Sequence, residues 1–322
     1  MAERIEAIAN SLLRAGLRPG DRVALLAENS PEWAIGYLGI SHARGTVVPL
    51  DPGLTEPSLQ VLFEASSPRL AILSTPILLK LEKKPKPRTI TLESLVANPE
   101  RAIEPLGDAP IDTDADDELA SIIFTSGTSG RPKGVMLTQT GLVYAGRDCS
   151  VPLWGITSSD EMLLVLPLHH VYGFAAALLG GLFVGASLTF VEAVRGDLIL
   201  AAINETHTTL LPAIPRLLEL FHEQINRQVR AKGVLSATAF SAMTQSCRTI
   251  RKTTGANVGP RVFKAVFDKF GGRLRRLVSA GAPLPIDVLN GLESLGFSIL
   301  EGYGLTETSA AATGCTFAQA RP

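Results

Sequence analysis

Short unbroken apolar runs alternate along this chain with longer stretches whose apolar residues recur every three to four positions. Val23 to Ala27 (VALLA) predicts a buried strand behind the turn Arg18-Pro19-Gly20-Asp21. Glu32 to Ala43 predicts a helix, Thr46 to Pro49 a strand, Glu56 to Ala65 a helix and Leu70 to Ser74 a strand. Further on, Ile122-Ile123-Phe124 and Phe297 to Leu300 read as strand ends. After Pro215, residues Leu217, Leu218, Phe221 and Ile225 share one helical face, with proline in the first turn. Asn226 to Gly271 reads as helical in pieces, broken around Thr253 to Pro260. Strands alternating with helix-period segments indicate an α/β protein with largely parallel sheets. There is no internal repeat.

Polar stretches refine this pattern. Lys80 to Arg88 and Pro105 to Glu118 are rich in proline and charge, and read as solvated loops. Val171 to Val191 carries no charge and is long enough to span a bilayer. It contains Gly173, Gly180, Gly181 and Gly185 and follows a His-His pair, so it reads as a buried helix ending near Gly185 and then a buried strand, Ser187 to Val191. The cations of the 226–271 segment (Arg227, Arg230, Lys232, Arg248, Arg251, Lys252, Arg261, Lys264) read as a solvated face.

Composition bounds the rest. A chain of 322 residues, 46% hydrophobic and 19% charged, has material for about two subdomains with sizeable cores. Its formal charge of −1 gives no reason to expect nucleic acid, or a strongly anionic membrane, as the main partner. Cys149, Cys247 and Cys315 are scattered and not in metal-ligand spacing, which fits a reducing, cytoplasmic setting. The charged N-terminal residues do not form a signal peptide.

Two motifs carry the chemistry. The first is Thr125-Ser126-Gly127-Thr128-Ser129-Gly130-Arg131-Pro132-Lys133-Gly134. Glycines let backbone N–H groups approach a polyphosphate closely, hydroxyls add donors, and Lys133 adds a mobile positive charge. Arg131 and Pro132 separate Lys133 from Gly130, so this is not a Walker loop. The second is Glu301-Gly302-Tyr303-Gly304-Leu305-Thr306-Glu307. Glycines flanking an aromatic let a turn press Tyr303 on a flat ligand; Thr306 offers a hydroxyl and Glu307 a hard oxygen for Mg²⁺. Read without context, Thr306 could equally be the N-cap of a following helix.

Phe124 through Gly134 resembles the signature loop of the adenylate-forming superfamily, which includes acyl-CoA synthetases, luciferases and peptide-synthetase adenylation domains. The second motif resembles that superfamily's adenine- and metal-binding segment. The resemblance puts Tyr303 on adenine, Thr306 on the α-phosphate and Glu307 on magnesium. Pro167 to Gly173 resembles the segment whose histidine stands at the entrance to the acyl pocket, a place taken here by His170. Thr138 resembles the start of a capped helix. Ser279-Ala280-Gly281-Ala282-Pro283 resembles the adenine-facing stretch, departing from it at Ala280, whose methyl could crowd the nucleotide-bearing backbone. The segments 19–35, 215–217 and 271–279 are most similar to long-chain fatty acyl-CoA synthetases, and Tyr172 to Gly181 offers the small and apolar lining that an acyl tunnel needs.

This resemblance implies two stacked α/β subdomains with largely parallel sheets, approximately 20–148 and approximately 1–19 plus 149–322. It also implies an ATP-, Mg²⁺- and CoA-dependent fatty acid–CoA ligase, AMP-forming. Catalytic roles fall on Lys133, His170, Thr306 and Glu307. Nucleotide contacts fall on Thr125, Ser126, Gly127, Thr128, Ser129, Gly130, Lys133, Gly281, Ala282, Pro283, Glu301, Gly302, Tyr303, Gly304 and Thr306. Family members continue into a ribose-binding Asp, a hinge and a small C-terminal domain carrying a Lys. The expectation is therefore an incomplete large domain, with that small domain as its intramolecular partner and with peripheral membrane contact compatible with the acyl substrate. Two other readings stay open: a nucleotide- or lipid-binding regulator without catalysis, and a ligase for another acid or for a carrier-protein acceptor.

Overall fold

The computed structural model describes residues 1–83, 85–106, 119–125, 132–191, 194–314 and 316. They divide into two units, Met1–Val143 with Pro167–Val171, and Tyr144–Leu166 with Tyr172–Pro322.

The first unit is built on six strands: β1 (Arg22–Leu26), β2 (Thr46–Pro49), β3 (Leu70–Leu73), β4 (Arg88–Thr91), β5 (Leu119–Thr125) and β6 (Lys133–Thr138). Their order is β4-β3-β1-β2-β5-β6, parallel except for β6, which runs antiparallel to β5. Strands β1, β2 and β3 are buried almost throughout, as expected where helices cover both faces of a parallel sheet. Their residues form a core with Leu50, Leu59, Leu62, Phe63, Ile77 and Ile122. Helix Pro31–His42 starts on Ser30, whose hydroxyl accepts the Trp33 N–H at 3.0 Å.

Residues 1–19 belong to this unit, whereas the sequence reading placed them with the second. Helix Ala2–Arg14 buries Ile8, Ala9 and Leu12. Ile8 lies on Gly39 of helix Pro31–His42 so closely that a Cβ there would meet Ile8 Cγ2 at 2.5 Å. An amphipathic pattern tells that a helix docks, not which sheet it docks beside. The first unit also ends at Val143 and takes back Pro167–Val171, a return that chain order alone could not reveal.

In the second unit β7 (Glu161–Leu164), β8 (Ser187–Phe190), β9 (Leu210–Ala213), β10 (Arg276–Ser279), β11 (Ser298–Tyr303) and β12 (Thr313–Gly314) lie in the order β12-β11-β10-β9-β7-β8. The sheet is parallel except for β12 against β11. Strand β8 is a correction: it was expected to be buried, but Ser187 is exposed and Leu188 to Phe190 are half-buried. Among the described residues it has a neighbouring strand on one side only. The preceding uncharged stretch forms a buried π-helical run, Tyr172–Leu179, then helix Gly180–Val184, ending at Gly185 with φ +73°. Among the described residues no helix is long and apolar enough to cross a membrane.

Helix Pro215–Ala231 buries Leu217, Leu218, Phe221 and Ile225, the face read from the sequence. Helix Val234–Thr254 follows, stopped by Gly255 at φ +73°, then the short helices Gly259–Val262 and Lys264–Lys269. The break predicted near Thr253 to Pro260 is therefore present. Most of the 105–118 loop, residues 107–118, lies outside the described residues.

Candidate functional site

In each unit, hydrogen-bonded polar groups fasten the amino ends of the parallel strands. In the first, Asp21 Oδ2 accepts from the Arg18 N–H at 2.7 Å and from Arg69 Nη1 at 2.5 Å, and Thr46 N–H donates to the Asp21 carbonyl. In the second, buried Asp160 accepts from the Thr157 N–H at 2.9 Å, from Thr209 Oγ1 at 2.6 Å and from the Arg276 guanidinium. The carboxyl ends of the strands carry the two motifs, the side on which open parallel sheets bind ligands.

At the carboxyl end of β5, register places Thr125 opposite Lys133, the first residue of β6. Thr125 is half-buried and Lys133 is exposed. Two ends of the signature loop are thus brought side by side. Ser126, Gly127, Thr128, Ser129 and Gly130 lie outside the described residues. After β6, Thr138 Oγ1 accepts the Gly141 N–H at 3.1 Å and caps helix Gln139–Val143.

His170 is brought to the same place. A cleft of about 480 Å³ in this unit is lined by Leu50, Leu54, Leu62 and Phe124, with Thr125 and His170 among its polar groups. His169, which the sequence reading left without a role, also lines it, as does Asp51. His169 Nε2 lies 3.8 Å from Asp51 Oδ1, and the two imidazoles are 4.3 Å apart between ring centres. Asp51 is steadied by the Gly53 N–H at 2.8 Å. Burial, with the neighbouring His170, pushes His169 down to about 4, and burial lowers His170 as well, so both rings are neutral near pH 7. The adjacent histidines were a visible signal; nothing in the sequence linked them to Asp51.

The second unit gathers the other assigned residues. Strand β11 ends in Glu301, Gly302 and Tyr303, beside β10 and its following loop. Glu301 Oε1 accepts the Leu284 N–H at 3.2 Å, so this carboxylate holds the loop in which Gly281, Ala282 and Pro283 are exposed. Gly281 has φ +90°, a conformation costly for any side-chain-bearing residue. Ala280 does not crowd the strand: a Cβ on Gly302 would sit 3.8 Å from its methyl, an ordinary contact. Tyr303 is 60% exposed, a free aromatic face. Gly304 is obligatory, since a Cβ there would lie 1.7 Å from the Ala310 carbonyl oxygen. Thr306 and Glu307 open a 3₁₀ turn, Thr306–Thr308. Thr306 does not cap it. Thr308 Oγ1 accepts the Leu305 N–H at 3.0 Å, which leaves the Thr306 hydroxyl available. Glu307 is exposed, and among the described residues it has no ion pair.

Tyr172 has a different task. Its hydroxyl donates to the Val278 carbonyl at 3.0 Å, tying the acyl-type segment to β10, and burial raises its pKa far above the phenolic range. Ser279, at the end of β10, is buried, and its hydroxyl has no hydrogen-bond partner among the described residues.

The AMP-binding enzyme family matches residues 1–322, and the chain belongs to that family. It is 28% identical to long chain acyl-CoA synthetase 7, peroxisomal, of Arabidopsis thaliana, over 96% of this chain and 47% of that protein. It is 26% identical to a feruloyl-CoA synthase of an Amycolatopsis species, over 96% of this chain and 54% of that protein. The chain thus spans about half the length of the curated relatives it matches. Among solved structures, ATP-bound MatB from Rhodopseudomonas palustris aligns with a TM-score of 0.69 at 27% identity, covering 99% of this chain and 56% of that one. The N-terminal domain of FACL13 from Mycobacterium tuberculosis aligns with the same score at 19% identity, covering 97% and 69%, and shows the shared fold.

Proposed function

We propose that the protein takes part in ATP-dependent activation of a carboxylic acid, with a fatty acid as the acid. The observation that carries this is the placement of both motifs at the carboxyl ends of parallel strands, each in a backbone setting suited to its assigned ligand. Thr125 and Lys133, adjacent by strand register, grip the β- and γ-phosphates together with Ser126, Gly127, Thr128, Ser129 and Gly130. Tyr303 stacks on adenine, with Gly281, Ala282 and Pro283 beside it and Glu301 holding their loop. Thr306 donates to the α-phosphate. Glu307 supplies a hard oxygen that would hold Mg²⁺, whose charge offsets that of the phosphates.

The acid's carboxylate attacks the α-phosphorus, the bond to the β-phosphate oxygen breaks, and pyrophosphate leaves. Two anions must meet, so positioning and charge neutralisation dominate. The thiolate of CoA then attacks the acyl carbonyl and expels AMP. The neutral His170 ring beside an apolar cleft can orient a carboxylate without adding charge. The fatty-acid reading is supported by the long-chain synthetases among the relatives. An aryl acid is the second reading, supported by the feruloyl-CoA synthase at similar identity.

Calorimetric titration with non-hydrolysable acyl-adenylate analogues bearing a long acyl, an acetyl or an aryl group tests both. Affinity rising with chain length supports the fatty acid, and preference for the aryl analogue transfers the proposal to aryl acids. A folded chain that binds none of them overturns the activation reading.

A further inference from the structure

Away from both motifs, the second unit holds a groove of about 420 Å³ between helices Pro215–Ala231, Val234–Thr254 and Ile286–Leu295. That volume is in the range of small-molecule sites. Its lining is rich in N–H and O–H donors: guanidiniums from Arg230 and Arg248, amides from Asn226 and Gln245, and hydroxyls from Ser241 and Thr244. Among the described residues no Asp or Glu lines it. Glu293 acts on Arg251 and Arg248, and Asp287 and Glu223 act on His222, but all three carboxylates stand outside the lining.

The walls are fixed by specific contacts. Arg248 Nη2 donates to Asn290 Oδ1 at 2.8 Å, which joins helix Val234–Thr254 to helix Ile286–Leu295. Arg251 Nη1 strengthens the same join, donating to the Glu293 carbonyl at 3.2 Å and the Phe297 carbonyl at 3.0 Å. The His222 ring lies on Gly291, where a Cβ would meet its Nε2 at 2.3 Å. Glycine weakens a helix interior, and here it makes room for the imidazole. Phe240 packs edge-on against Phe263, 5.3 Å between ring centres, so its ring is held at the groove. Arg230, near the end of helix Pro215–Ala231, is exposed, and among the described residues its guanidinium has neither an ion pair nor a hydrogen bond.

We propose that this groove binds a small phosphorylated molecule that also carries a flat apolar part. The phosphate meets the forks of Arg230 and Arg248, which suit its geometry, and the amides and hydroxyls take its remaining oxygens. The apolar part lies on Phe240. A cation finds no carboxylate there, and a neutral apolar molecule would bury these donors unpaired. A single carboxylate, with one charge and two oxygens, satisfies fewer of them than a phosphate does. The inference stands independently of the nucleotide and acid assignments, which rest on other residues.

The test is calorimetric titration of the full chain with phenyl phosphate, with inorganic phosphate and benzoate as comparison probes. Phenyl phosphate should bind at one site per chain, about tenfold or more tighter than either comparison probe. Arg230→Gln should weaken it about tenfold or more with melting unchanged, because this side chain is exposed and holds nothing in the fold. Arg248→Lys, which keeps the charge and loses the planar fork, should weaken it in the same direction. Lys133→Ala, in the phosphate loop of the other unit, should leave the affinity as it is. A folded chain that does not bind phenyl phosphate overturns the proposal. So does benzoate binding as tightly as phenyl phosphate, or binding that is lost in Lys133→Ala and undiminished in Arg230→Gln.

Discussion

At the scale of single residues, the site depends on groups with little structural duty. Lys133 is exposed at the head of β6. Lys133→Ala should weaken ATP binding about tenfold or more, the worth of a charge-assisted hydrogen bond, with the melting temperature unchanged. Equal calorimetric affinity of variant and wild type would remove Lys133 from the phosphate site. Glu307→Gln should raise the Mg²⁺ concentration needed for ATP binding, and an unaltered Mg²⁺ titration would count against it as the metal's ligand. His169 behaves oppositely, coupling to the fold. Its pKa in the fold is about 4, below the ordinary 6.5, so the unfolded chain takes up the proton first. Its contribution is complete above about pH 6.5 and is lost as pH falls towards 4, a change of roughly 2–3 kcal/mol. His169→Asn should flatten the dependence of denaturation midpoint on pH in this window. The roles proposed for Tyr303, Thr306 and Glu307 come from their residue types and order. The His169–Asp51 pairing could not be read in that way, because the two positions are far apart in the chain and meet only through folding.

At the scale of elements, local chemistry was the reliable guide. Helix Pro31–His42 has a side-chain cap and proline in its first turn, and its limits fell within a residue of those expected. Ser30→Ala should cost about 1 kcal/mol in denaturant titration, with an unchanged slope. The strands read from apolar runs at 23–27, 46–49 and 70–74 are present because parallel strands covered on both faces need continuous apolar sequence. Strand β6 was missed. Its pattern is mostly exposed on one side, and it owes its place to antiparallel pairing with β5 across the signature loop. Strand β8 was judged too buried because apolarity does not distinguish a central strand from an edge.

At the scale of the whole molecule, each unit has a core of its own. The two tryptophans report them separately: Trp33 is buried in the first unit and Trp154 in the second. Asp160→Ala strips Thr209 and Arg276 of a buried acceptor and should destabilise its unit by about 3 kcal/mol. With Trp33→Phe as background, the fluorescence transition of Trp154 should move to lower denaturant. With Trp154→Phe as background, that of Trp33 should move less. Equal shifts at both would show that the units unfold together. The sequence by itself determined the α/β class, the strands and helices with strong period, and the chemical character of both motifs, since all of these depend on neighbours a few positions apart. Only the tertiary structure decided that helix Ala2–Arg14 and residues 167–171 join the first unit, that Thr125 faces Lys133, and that Glu301 supports the loop rather than pointing free. These rest on which surfaces pack and which strands pair across long stretches of chain, and a hydrophobic pattern demands burial without naming the partner.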